Sequence, residues 1–288
     1  MTLIPPVRRR LLGTALRRYR ESLGYGLEDA ARILECDRSK ISRIETGQRG
    51  IRDKELRELL TEYGVGADEQ AALTAVAHQG RQQGWWQEYS DVLTEASQDF
   101  VIMEAAATEI LGYAPHRVPA LLQTADYARA VADADPALSA DAQRDHVVEV
   151  TLARQRIVLG ESRPWTELLL GESVLHQLVG GADVMRAQLA QLARLAAVAD
   201  HGRDAGVTLR VLPFSAGAYA AACCCGLAIL RFADTPGIGV IHLDALSGGI
   251  SLDSPDEVSR YLRAFAGLRL ASLTPAASSR LLRKVAGD

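Results

Sequence analysis

Four glycines, Gly24, Gly47, Gly64 and Gly66, cut the first 80 residues into short pieces. Within those pieces apolar residues recur every three or four positions, the repeat of a helix. Leu12, Leu16, Tyr19 and Leu23 put one apolar stripe on a helix over 11–23, and Gly24 suits the position just past its end. A short helix is expected over 27–34. Asp37 is the expected N-cap of a third over 38–46, which stops at Gly47. A fourth is expected over 53–63, and Asp68 is the expected cap of a fifth over 69–79. Such short helices bury their stripes only against one another, so residues 1–80 predict a compact all-α domain of about five helices.

The remaining chain changes character. Residues 81–160 read as a mostly helical connecting part, with segments at 95–110, 121–133 and 141–159 broken by Pro115, Pro119 and Pro136. From Trp165 strands appear: WTELLL, and VTLRVLPF at 207–214. A long helix over 183–201 lies between them, with Met185, Leu189, Leu192, Ala196 and Ala199 on one face. Strand, helix, strand predicts a parallel pair. GLAILRF (226–232) and GVIHLDAL (239–246) predict an antiparallel pair, and helices over 255–270 and 275–285 close the chain. The expectation for 161–288 is an α+β or α/β domain with a small mixed sheet, serving regulation, dimerisation or partner binding.

Composition excludes several classes. The chain of 288 residues is 48% hydrophobic and 24% charged, enough to build a sizeable core. It has no run of about 18 apolar residues, so no membrane span is expected. The start, MTLIPPVRRRLLGTALRRYR, turns basic before a signal-peptide core could form. The cytoplasm is the expected location, with the nucleoid when bound to DNA. Cys36 stands apart from Cys223, Cys224 and Cys225, which is no disulfide framework, so reduced thiols are expected. The net charge of −4 is segregated: 14 Lys and Arg face 10 Asp and Glu over 1–65, against 18 and 26 in the remainder. A basic head on an acidic body suits a head that meets an anion.

The stretch DRSKISRIETGQRG, residues 37–50, gives that anion a shape. Ile41 and Ile44 face inward at i and i+3, where Leu34 and Leu56 can pack on them, and Ala31, on the helix before, is small enough to let the two helices cross closely. Arg38, Ser39, Lys40, Ser42 and Arg43 then face outward near a helix N-terminus. Free N–H groups and partial positive charge there suit phosphate, and such a helix fits a major groove about 12 Å wide. Arginine reads guanine through two acceptors. Arg17, Arg18 and Arg20 on the first helix, and Gln48, Arg49 and Arg52 after the third, are the expected contacts to flanking phosphates. The bland alternative is a helical bundle with a wet, basic third helix.

LGTALRRYRESLGYGLEDAARILECDRSKISRIETGQRG resembles the helix-turn-helix of XRE (Cro/cI-type) regulators, most specifically at SKISRIETG (39–47). Beyond it, GWWQEYSDVL (84–93), VPALLQTADYARA (118–130), LARQRIVL (152–159) and RVLPFSAGAY (210–219) resemble a group of actinobacterial regulators with a large uncharacterised C-terminal domain. The resemblance implies an antitoxin-like transcriptional regulator that binds double-stranded DNA, with a small protein encoded by an adjacent gene as candidate partner. A homodimer is expected, because one short helix reads too few bases. Two positions depart from the family pattern. Gly26 and Leu27 replace the Thr-Gln pair that usually opens the second helix, and Glu35 stands where the turn usually carries glycine at positive φ. The rival reading is a protein-interaction module that binds its small neighbour and reads little DNA.

No enzyme is expected. His78, His116, His146, His176, His201 and His242 show no zinc-type pairing, and no phosphate-binding glycine loop follows a strand. Ser173, His176 and Asp244 make a triad only on paper, without the nucleophile elbow. No cofactor and no metal are expected, the three consecutive cysteines included. Trp85, Trp86 and Tyr89 suit either a small-molecule pocket or, more simply, a staple between head and body. Leu189, Leu192 and Ala196 suit either a dimer seam or packing on the sheet.

Overall fold

The computed structural model describes residues 7–79, 85–160, 164–198, 207–219, 225–232, 239–245 and 249–287. The head holds the five helices expected from the sequence: α1 (Val7–Ser22), α2 (Leu27–Ile33), α3 (Arg38–Glu45), α4 (Asp53–Glu62) and α5 (Ala67–Gln79). Gly24, Gly47 and Gly64 take φ of 71, 72 and 69°, the left-handed conformation that closes a helix. Two expected caps differ. Asp68 lies inside the first turn of α5, where its charge favours the helix dipole. Asp37 occupies the N-cap position of α3 but its side chain makes no cap bond.

The body contains α6 (Glu95–Ala106), β1 (Glu109–Ala114), α7 (Ala125–Asp133), α8 (Asp141–Val158), β2 (Trp165–Gly171), α9 (Ala182–Val198), β3 (Val207–Leu212), β4 (Leu227–Arg231), β5 (Gly239–Leu243), β6 (Ile250–Leu252), α10 (Pro255–Ala271) and α11 (Pro275–Ala286). The strands form one six-stranded mixed sheet in the order β3-β2-β1-β4-β5-β6. Within it β2 and β3 are parallel, with α9 as their connection, and β4 and β5 are antiparallel, both as the pattern predicts. The body is therefore α+β.

The central strand is the correction. The expected helix over 95–110 ends at Ala106, and the next residues run as β1, parallel to β2 and antiparallel to β4. The stretch expected to be a helical connector thus supplies the strand on which both halves of the sheet pivot. All four interior residues of β1 are buried, so no alternation marked it as a strand.

Register divides the sheet's two faces. Ile110, Leu168, Leu209, Leu230 and Val240 point to one face, covered by α6, α9 and α11. Leu111, Leu169, Ile229 and Ile241 point to the other, where Val258, Phe265 and Leu268 of α10 cover them. Gln188, fully buried on α9, accepts from the Thr124 N–H at 2.7 Å and donates to the Leu122 carbonyl at 2.8 Å, tying α9 to the start of α7. Leu189, Leu192 and Ala196 are buried in the same cluster as the sheet and α11, so the dimer-seam reading of that helix does not hold. His201 and Ala199, expected on it, lie outside the described residues.

His242 on β5 shows how tightly the first face is packed. It stacks on Phe100 of α6 at 4.0 Å between ring centroids, and its Nδ1 lies 3.2 Å from the Ser251 hydroxyl. Burial holds its imidazole below the ordinary value of 6.5; nearby Asp244 opposes the shift and Arg154 adds to it. The unfolded chain therefore binds the proton more readily than the folded one. The contribution of His242 to stability is expected to be level above about pH 6.5 and to fall as pH drops below it. His242→Gln should remove that slope when urea midpoints are compared across pH 7.5 to about 5.

Candidate nucleic-acid interface

The interface is built on α2 and α3, which cross closely because Ala30 and Ala31 are small and buried. Ile41 and Ile44 are 1% and 3% exposed, in one cluster with Leu34 and Leu56, so the inner side of α3 is the side read from the sequence. Two glycine contacts bring α1 against the end of α3. A Cβ on Gly13 would lie 2.5 Å from the Glu45 carbonyl oxygen, and one on Gly47 would lie 3.0 Å from the Arg10 nitrogen. Only a residue without a side chain allows backbones this close.

The turn between α2 and α3 holds Glu35 at φ 46°, the one non-glycine residue at positive φ among those described. The departure from the family pattern is thus a real left-handed glutamate. Glu35→Gly should stabilise the head by roughly 1 kcal/mol, read as a higher denaturation midpoint.

The outward residues divide into three groups. Arg38, Ser39, Arg43, Gln48 and Arg49 are exposed, and Ser42 is half-buried on the same side. Arg43 donates from Nε to the Ser39 carbonyl at 3.2 Å. Among the described residues no carboxylate pairs with Arg43 or Arg49. Arg38 lies 3.1 Å from Glu28, and Arg17 2.7 Å from Glu21; both pairs are exposed and easily exchanged for a phosphate. The last group is turned inward. Lys40 is half-buried and donates to Glu55 of α4 at 2.7 Å, an interaction that helps hold the Glu55 carboxyl below its usual range against the opposing effect of burial.

Arg20 does not belong to this surface. It is 6% exposed, and its Nε and Nη2 donate to the two Glu45 oxygens at 2.6 and 2.8 Å while Nη1 donates to the Tyr25 carbonyl at 2.7 Å. The Glu45 bond raises its pKa above the ordinary arginine value against the cost of burial. All of its directed bonding is spent inside the head, so the expected phosphate contact is corrected to a structural one. The partner is 25 residues away, which no local pattern discloses. Arg20→Ala leaves Glu45 buried and unpaired and should cost about 3 kcal/mol of stability, measured by chemical denaturation.

The other candidates fall apart as sites. Ser173 donates to the Pro115 carbonyl at 2.6 Å, His176 stacks on Phe214 at 6.0 Å, and Asp244 lies 3.7 Å from Arg117, so the paper triad is three separate contacts. Trp85 packs edge-on against Trp86 and Tyr89 at 6.2 and 6.0 Å, and Tyr89 against His146 of α8 at 5.4 Å. These rings pack on one another and, through Tyr89, against α8. Cys225 is exposed ahead of β4, while Cys223 and Cys224 lie outside the described residues. Among the described residues no group of His, Cys, Asp and Glu could hold a metal, and no helix is long and apolar enough to cross a membrane.

Residues 11–73, which run from the second turn of α1 to the middle of α5, match a family model described as a helix-turn-helix domain. Residues 97–284 match one described as a domain of unknown function, DUF5753. No curated protein and no solved structure matches the chain. The second match covers well over half of the 288 residues, so the chain belongs to the DUF5753 family and carries at its head the helix-turn-helix domain of a DNA-binding regulator.

Proposed function

We propose that this chain is a sequence-specific transcriptional regulator that inserts α3 into the major groove of double-stranded DNA. The supporting observation is the division of α3 itself. Ile41 and Ile44 anchor one side, and Arg38, Ser39, Ser42 and Arg43 stand on the other, at a helix start whose N–H groups no side chain caps. Arg43 is the strongest base reader, having no carboxylate partner among the described residues; Arg17, Gln48 and Arg49 hold flanking phosphates. Lys40 acts on the pose of α3 through Glu55. The chain works as a homodimer on a two-fold operator, with half-sites about 34 Å apart or a multiple of that. The body supplies the dimer contacts and a surface for a signal.

Arg43→Ala should weaken binding to a selected operator duplex by roughly 1–3 kcal/mol while leaving unrelated duplex nearly unaffected. Arg49→Ala should weaken both equally and lower the salt dependence by about one phosphate. Unchanged binding in both variants would mean that the assigned face is wrong.

A second reading is favoured by Glu28, an exposed carboxylate beside the start of α3, together with Leu27 and the inward Lys40. Each reduces the head's grip on phosphate. Under this reading the chain is an antitoxin-like interaction module for a small protein encoded next to it. Glu28→Gln separates the two. It should tighten binding to all duplexes for a DNA reader, and it should leave an interaction module without measurable DNA binding in a gel shift, with or without the neighbouring protein.

A further inference from the structure

The end of α3 is tied to the body through α1, in a chain of contacts that begins at the sheet's edge. Asp253 stands between β6 and Ser254, the N-cap of α10. It accepts a fork from Arg10 of α1, at 3.0 Å from Nε and 3.4 Å from Nη2. The two side chains are 24% and 17% exposed, less open to water and salt than an ordinary surface pair. Arg10 is also the residue on which Gly47 rests, where α3 terminates, with under 3.3 Å between the position of a Cβ on Gly47 and three Arg10 atoms. One turn along α1, Gly13 touches the Ile44 and Glu45 carbonyls, and two turns beyond that Arg20 forks onto Glu45. Three points of α1 thus grip the last turn of α3, and the first of them is held by the body.

The body end of this chain is itself fixed. β6 pairs with β5, and Ser251 meets His242, which stacks on Phe100 of α6. On the other side of the fork the joint is open: a groove runs between Arg17 and Arg18 of α1 and Ser254 and Pro255 of α10, reaching Thr46 at the end of α3. The fork closes one end of that cleft, so α1 meets the β6–α10 junction through this charged contact rather than through apolar packing there.

We propose that the Arg10–Asp253 fork is a positioning contact by which the body sets the angle of the reading helix, so that any signal or partner that shifts the β6–α10 junction alters DNA binding. This rests on α3 being the reading helix. Its regulation then passes through this fork, from Asp253 to Arg10 and on to Gly47.

Asp253→Asn and Arg10→Ala test it in the full-length protein, singly and together. Without DNA, amide exchange is followed at Thr46, Gly47 and Arg49, which bond back to Ser42, Ile44 and Arg43 at the end of α3. Each single variant should exchange there at least about five-fold faster than wild type, and the double variant no faster than either single one. Amides of α4 should keep their wild-type rates, which separates a lost clamp from a loosened head. With a selected duplex, the single variants should lose specific affinity by a similar factor and keep non-specific affinity. Wild-type exchange at the end of α3 in Asp253→Asn, or additive effects in the double variant, would overturn the proposal. If Arg43→Ala leaves specific binding intact, the reading helix is misassigned, and the exchange measurement still decides whether the clamp exists.

Discussion

The structure depends on α6, a helix buried almost all the way round. Phe100, Val101, Ile102, Met103 and Ala106 are all buried, together with Asp99 and Glu104. From Asp99 onward α6 has no wet face to turn outward and has to be enclosed. Here Phe100, Met103 and Ala106 lie in one cluster with Leu73, Val76 and Ala77 of the head and with Ile110, Leu230 and Val240 of the sheet. Head and sheet are thereby halves of one core. Moving the head relative to the body would expose that surface to water, at about 25 cal/mol for each Å² of apolar area. Hydrophobic interfaces of this kind make neighbouring units move together.

Around this core the charges are organised as forks. Glu104 of α6 receives Arg154 of α8 through two bonds of 2.8 Å. Glu167 of β2 receives Arg210 of β3 and Arg269 of α10 at 2.8 and 2.5 Å, and Arg269 also lies over the Trp165 and Phe265 rings. Glu45 receives Arg20. Buried pairs of this type add little net stability but strongly penalise any packing that separates the partners. They also change the meaning of the charge segregation along the chain. Part of the head's arginine surplus is internal, so the charge facing DNA is smaller than a count of residues suggests. What remains is concentrated at the start of α3 and just after its end, where direction matters more than number.

Much of the head was legible because its information is local. A helix stripe needs only a repeat of three or four and a turn needs only a glycine, whereas the strain at Glu35 was legible only through the resemblance to the helix-turn-helix family. The inner and outer sides of α3 followed from two isoleucines. The βαβ pair and the β4–β5 hairpin were legible for the same reason, as short apolar runs between breakers. β1 was not, since a strand buried on both faces has no alternation, and the alanines before it favour continuing the helix. β6 is three residues long and exists only because β5 offers it an edge.

By itself, then, the sequence determined the elements that need no distant partner: the five head helices, the buried side of α3 and most of the strands. The tertiary structure decided how those elements use their charges and which of them are joined. Arg20 is structural, Lys40 is held by Glu55, and Arg10 reaches Asp253, 243 residues away. The reason is that periodicity is set within a turn or two of chain. An arginine's partner is set by whichever carboxylate folding brings within about 3 Å, and spacing in the chain carries no record of that encounter.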